Sequence, residues 1–223
     1  MTMSIAARCA ETGMLGVAIS SSSIAVASRC ANVRAGVGAT LSQNVTDPNL
    51  GHLALDLMAI GKSAQEVVQE FLRDQPYIEW RQLVLLPASG APAVFSGDRT
   101  LGVHAESIGV NCAAAGNLLA APSVPQEMTR AFEESRGGLA DRLLQSLRAG
   151  LNAGGEAGPL HSAGVLVAGK LSWPIVDLRV DWSDDPIGQL CSLWERYQPQ
   201  LDAYVLRARL PAGAPAYGVA GDP

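Results

Sequence analysis

The chain has 223 residues, 48% of them hydrophobic and 17% charged, and its 16 Lys and Arg against 21 Asp and Glu give a formal net charge of −5. That length suits one domain with a substantial buried core. The acidic balance, with no cluster of basic residues, excludes the electrostatic footprint of a nucleic-acid or anionic-membrane binder and leaves a small molecule or another protein as the expected partner.

In chain order, residues 3–8 and 14–21 are β-rich runs around Glu11-Thr12-Gly13, a connection short enough for a hairpin. Four serines, Ser20-Ser21-Ser22-Ser23, lead into residues 24–27, and residues 36–41 read as another strand, so the first forty residues are expected to be all β. Asp47-Pro48 is an N-cap followed by Pro at the first helical position, with Leu50, Leu53, Leu57 and Met58 on one face until Gly61. Ser63-Ala64-Gln65-Glu66 is a capping box that opens a second helix.

Residues 81–86, 93–96 and 107–115 then read as strands, followed by a helical pair over 123–135 and 139–151 that Gly154-Gly155 breaks. Strands over 163–167 and 174–180 come next. Asp185-Pro186 starts a last long helix that Pro199 should kink or end. Strands and helices thus alternate in blocks rather than as a regular βα repeat. Two packed antiparallel sheets with helices outside both, a four-layer αββα sandwich of the α+β class, satisfy that order. The expected organisation is a single domain over 1–208 with a Pro/Gly/Ala-rich tail over 209–223, ordered if it docks on the body or on a partner subunit.

No apolar run reaches about 18 residues and the start lacks the pattern of a signal peptide, so a cytoplasmic protein is expected. Cys9, Cys30, Cys112 and Cys191 are scattered without metal-ligand or redox spacing, and each reads as a reduced thiol. His52 falls in the first helix, and neither His104 nor His161 has a ligand partner at useful spacing. No metal or cofactor is expected.

The chemistry concentrates at the start. Thr2 stands behind Met1 at the head of a strand-like run, and this order resembles the start of an N-terminal-nucleophile (Ntn) hydrolase, in which the first residue of the mature chain supplies both the nucleophile and, through its α-amine, the base. A hydroxyl is a weak nucleophile until a base takes its proton, and a free α-amine with a pKa of about 7.7–8 is partly unprotonated near neutrality. Thr2 is small enough for an aminopeptidase to remove Met1; while Met1 remains, the Thr2 nitrogen is an amide and cannot be that base.

Several segments jointly resemble the domain of unknown function 1028 family, which is Ntn-hydrolase-like. They are Thr2-Met3-Ser4-Ile5-Ala6-Ala7-Arg8, Leu15-Gly16-Val17-Ala18, Arg34-Ala35-Gly36-Val37-Gly38-Ala39, the run from Ser42-Gln43-Asn44 through Asp47-Pro48-Asn49-Leu50-Gly51, Arg81-Gln82, Gly116-Asn117-Leu118-Leu119 and Val176-Asp177-Leu178-Arg179-Val180-Asp181. They span roughly residues 2 to 195. Two departures from the family pattern are Pro87-Ala88-Ser89, where an acidic residue is usual, and the presence of Cys112 and Cys191.

The resemblance implies the αββα fold and, less firmly, hydrolysis of a small-molecule amide. Thr2 is then the nucleophile, against the alternative of an ordinary β-branched strand residue. Asn117 and Gln43 are candidate oxyanion donors, against turn-stabilising amides. Arg34 is expected near Thr2, stabilising charge or clamping a substrate carboxylate, since a guanidinium is no general base. Asn44, Asp47 and His161 are candidate substrate-binding residues, although Asp47 is also explained as an N-cap. The competing reading is a non-catalytic αββα protein that binds a ligand or assembles. A homo-oligomer, a dimer first, is the expected assembly.

Overall fold

The computed structural model describes residues 1–221. Strands β1 (Thr2–Arg8) and β2 (Leu15–Ser21) form the expected antiparallel hairpin, with Gly13 at φ 71 in its connection. The next segment departs from the expected strand. Residues 26–30 are a short helix, α1 (Val26–Cys30), entered through Ala25 at φ 51. Ser162 Oγ accepts the Val26 N–H at 3.1 Å, and a Cβ on Gly164 would come within 2.4 Å of the Ala27 methyl. Docking on a glycine therefore overrides the local strand preference of the Ile24-Ala25-Val26 run.

Strand β3 (Ala31–Arg34), which no local pattern marks, pairs with β4 (Gly38–Asn44). Helices α2 (Pro48–Ala59) and α3 (Ala64–Asp74) start where the caps predict: Asp47 accepts the Asn49 N–H at 3.0 Å, and Ser63 and Glu66 exchange bonds of 3.3 and 2.8 Å. Strands β5 (Arg81–Pro87) and β6 (Ala93–Ser96) follow. The run expected as one strand over 107–115 is a hairpin of β7 (Ala105–Ile108) and β8 (Cys112–Asn117). Its turn is closed by Gly109 N–H to Cys112 O at 2.9 Å and held by Glu133, which accepts the Val110 N–H at 2.8 Å. That clamp comes from a distant helix, so the local sequence does not carry it.

Helices α4 (Val124–Glu134) and α5 (Leu139–Asn152), strands β9 (Ser162–Ala168) and β10 (Pro174–Val180), and α6 (Pro186–Tyr197) complete the body. Pro199 follows the end of α6, and the chain then resumes as α7 (Leu201–Arg209), with a single 3-10 turn at Pro211–Gly213 beyond it. Residues 222–223 of the expected tail lie outside the described residues.

Among the described residues ten strands make two antiparallel sheets, ordered β10-β9-β2-β1-β8-β7 and β3-β4-β5-β6. Helices α2 and α3 cover the smaller sheet, with Leu50, Leu55, Val67 and Phe71 against Leu83 and Leu85. On the larger sheet α4, α5 and α6 place Phe132, Leu143, Leu147 and Leu190 in one core with Met3 and Ile5. Between the sheets lie Ala6, Val17, Ile19, Leu41, Val84 and Ala113. The central strands β1, β2, β8 and β9 are thus buried on both faces, and fully burying one aliphatic side chain contributes about 1.5–3 kcal/mol. The layer order is αββα, that of the Ntn-hydrolase-like fold. No helix among the described residues is long and apolar enough to cross a membrane.

Candidate active site

Alternation along β1 turns Met3, Ile5 and Ala7 toward the helices and Thr2, Ser4 and Ala6 toward the smaller sheet. Thr2 therefore heads the inter-sheet face of a central strand, 5% exposed. Its neighbours across the sheet are Asn117 on β8 and Ser21 on β2, with Ser162 on β9 beyond Ser21. Amide, hydroxyl, hydroxyl and hydroxyl make one row at one end of the sandwich.

The Met1 carbonyl sits in that row. Thr2 Oγ1 donates to it at 2.5 Å and Ser21 Oγ donates to it as well. Thr2 Oγ1 and Ser21 Oγ are 3.4 Å apart. Ser21 Oγ accepts the Ser23 N–H at 3.1 Å and lies 3.0 Å from Ser23 Oγ, which in turn accepts from the Arg29 guanidinium at 3.0 Å. A positive charge thus reaches the carbonyl through two hydroxyls, which polarises the last O–H. In the sequence the serine run leads into a strand-like segment, and the structure replaces that segment with α1, which delivers Arg29. No local pattern pointed to either residue.

Asn117 and Gln43 enter a buried amide network centred on Gln82. Gln82 Oε1 accepts from Gln43 Nε2 at 2.8 Å and Asn117 Nδ2 at 3.0 Å, while Gln82 Nε2 donates to Ser96 Oγ at 2.9 Å and Gly116 O at 3.0 Å. Gln43 Nε2 also reaches Ala115 O at 3.3 Å, and its Oε1 accepts from Ser4 Oγ at 2.6 Å. Both Gln43 N–H groups are engaged, so the expected oxyanion donor has no proton left to give. Asn117 Oδ1 is buried without a partner, and one of its two Nδ2 hydrogens goes to Gln82. Ser21, not Gln43, holds the carbonyl.

Glu156, in the loop after α5, is the acidic group of the site, and no motif in the sequence marks it. It is 6% exposed; Oε2 accepts the Ser22 N–H at 3.2 Å, and Oε1 has no partner. Burial pushes its carboxyl from 4.5 up to about 7, against the opposing pull of the chain's positive amino terminus and the Ser22 hydrogen bonds. Between those values the folded chain holds a proton that the unfolded chain releases, so stability falls as pH rises through the window. Each tenfold difference in proton affinity corresponds to about 1.4 kcal/mol. Urea midpoints measured from pH 4.5 to 8 should fall more steeply for the wild type than for Glu156→Gln; parallel curves would mean that this carboxyl titrates normally.

The other expected residues are dispersed. Arg34 stands opposite Gly38, Gly38 opposite Pro87, and the Pro87 carbonyl accepts from Arg8 Nη1 at 3.1 Å, at the far end of β1 from Thr2. Arg34 instead pairs with Asp56 at 2.8 Å on the surface, and its expected electrostatic role at Thr2 fails on geometry. Asn44, at φ 74, donates to Trp80 O at 2.6 Å and accepts the Leu101 N–H at 3.2 Å, a turn amide. Asp47 caps α2. His161 donates its backbone N–H to Ser21 O at 2.8 Å, but its ring stacks on Trp182 at 4.3 Å with Nδ1 3.3 Å from Ser183 O. The thiols of Cys30 and Cys112 are raised by burial, Cys112 to about 12, and neither is a ready nucleophile.

A family model described as "Family of unknown function (DUF1028)" matches residues 2–190. The crystal structure of protein SPO2555 from Silicibacter pomeroyi, of the same family, superposes with a TM-score of 0.82 at 29% identity over 88% of this chain and 89% of that one. Anbu (ancestral beta-subunit) from Yersinia bercovieri aligns at TM-score 0.39 and 11% identity, over 91% of this chain and 97% of that one. An Anbu (Gly-1) mutant from Hyphomicrobium sp. strain MC1 aligns at 0.41 and 11%, with the same coverage. At those two values neither fold nor activity transfers. A search of curated proteins finds no match.

Proposed function

The chain belongs to this family of unknown function (DUF1028), and from that premise we propose that it is an N-terminal-nucleophile hydrolase of a small-molecule amide with Thr2 as nucleophile. The observation that carries the reading is the placement of the Thr2 hydroxyl at the buried head of a central strand, 2.5 Å from a carbonyl that Ser21 also holds. Once Met1 is gone, the freed Thr2 amine takes the hydroxyl proton as Oγ1 attacks the substrate carbonyl carbon. Ser21 donates to the oxygen that becomes negative. The proton passes from the amine to the leaving nitrogen, the C–N bond breaks and an ester remains on Oγ1; water, deprotonated by the same amine, then releases the acid and restores the hydroxyl.

The non-catalytic reading is favoured by one fact: with Met1 attached, the Thr2 hydroxyl is engaged on the Met1 carbonyl and its nitrogen is an amide. Protein whose intact mass begins at Met1 and protein whose mass begins at Thr2, assayed on one amide panel, separate the two. Activity confined to the Thr2 form is the expected result. Equal activity in both forms rules out the N-terminal mechanism, and a silent panel with verified Thr2 protein favours binding without turnover.

A further inference from the structure

Helix α7 runs for 9 residues without burying one of them, and a helix that short is marginal in water by itself. Its two sides are met differently. On one, Tyr204 stacks on Tyr197 at 5.5 Å, and Arg207 lies 3.8 Å from the centre of the Tyr217 ring while donating to Pro215 O at 3.0 Å, so the chain covers that side itself. The other side, with Leu201, Asp202, Val205 and Arg209, borders an open groove of about 490 Å³ that Met14 and Ile175 also line.

The charges on that side are arranged to meet themselves. Asp202 and Arg209 lie about two turns apart on it, with Val205 between them. Both are exposed, and neither has an ion-pair partner among the described residues. In a two-fold interface a patch packs on its own copy, so residue i meets j and j meets i. Two antiparallel α7 helices satisfy this in one register. Asp202 of each copy then faces Arg209 of the other, Leu201 faces Leu210, and Val205 faces Leu206; Leu206 and Leu210 are exposed in the single chain. Glu11 and Lys170 also line the groove, so its two acids and two bases cancel, whereas the chain as a whole carries −5. Two copies repel one another over most of their surface and not here. We propose that the chain forms a two-fold dimer through α7, with the groove beside each helix filled by α7 of the second copy. The groove adjoins the turn between β1 and β2, at the far end of β1 from Thr2, so the dimer leaves the candidate active site open and forms whether or not an amide is hydrolysed.

Sedimentation velocity on the full chain should give a particle of twice 23.2 kDa. Arg209→Asp sets acid against acid at both contacts and Asp202→Arg sets base against base, so each should weaken self-association by about tenfold or more. The double reversal, Asp202→Arg with Arg209→Asp, should recover most of that loss, because the two partners only exchange roles. Cross-linking reads the geometry without altering charge. Under mild oxidation Val205→Cys, beside the two-fold axis, should join two chains through a disulfide, and Ala203→Cys, on the side of Arg207, should not. A wild-type chain that sediments as a monomer, a dimer untouched by either single reversal, a double reversal as weak as the singles, or cross-linking by Ala203→Cys in preference to Val205→Cys overturns the proposal.

Discussion

Thr2→Ala in protein verified to begin at residue 2 should lower amide hydrolysis by on the order of 10³-fold or more, because it removes the attacking oxygen from a nucleophile–base unit whose members act together. Thr2→Ser should retain a measurable part of the rate, since the hydroxyl and the α-amine both remain. The fold should survive either change. Thr2 is a single residue at a strand start, and its hydroxyl bonds reach only Met1 and Ser21, so the stability loss should stay near 1 kcal/mol. Circular dichroism and urea midpoints on the same samples check this. An unaltered rate in Thr2→Ala protein would remove Thr2 from the chemistry.

The second large effect is expected at Gln82, which touches nothing outside the protein. Gln82→Leu keeps the approximate volume but withdraws the acceptor shared by Gln43 Nε2 and Asn117 Nδ2 and the donor to Ser96 and Gly116, at a position with no exposed surface. Each orphaned buried polar group costs about 1–3 kcal/mol, so about 2–6 kcal/mol is expected, a large share of the 5–15 kcal/mol that holds a typical domain. The same substitution frees Asn117 to turn beside Thr2, so activity at a temperature where the variant is folded should fall too. A loss under about 1 kcal/mol in urea unfolding would mean that the network repacks around leucine.

The two expectations differ in how far they could be read from the sequence. Thr2 was legible because its chemistry is local: a hydroxyl and an adjacent backbone nitrogen are always neighbours, whatever the fold. Gln82 was legible only as part of a motif, because its partners come from β4, β6 and β8, up to 39 residues from it in the chain. Gln43 offers an amide at the end of a strand, yet nothing along the chain reveals that Ser4, Gln82 and Ala115 engage its oxygen and both its N–H groups.

Helix starts belong to the first kind. Asp47-Pro48 and Ser63 with Glu66 fix their own boundaries because a cap bonds to backbone two or three residues away. The block order of strands and helices likewise carried the four layers, since each strand buried on both faces and each amphipathic helix must find a cover. Those properties were determined by the sequence itself: the αββα class, the caps, and the place of Thr2 at the head of the first strand.

Tertiary structure alone decided the rest. It turned residues 26–30 into a helix against Gly164 and so brought Arg29, not Arg34, into line with Ser23 and Ser21. It sent Arg34 to the opposite end of the sandwich, because strand register determines which end of a sheet a residue occupies, and register is set by pairing with β4 and β5. It also buried Glu156 against the Ser22 backbone, 134 residues away in the chain, where desolvation changes its proton affinity. Local pattern encodes which element a residue joins; which charges meet depends on how those elements pack, and burial sets the energy of each meeting.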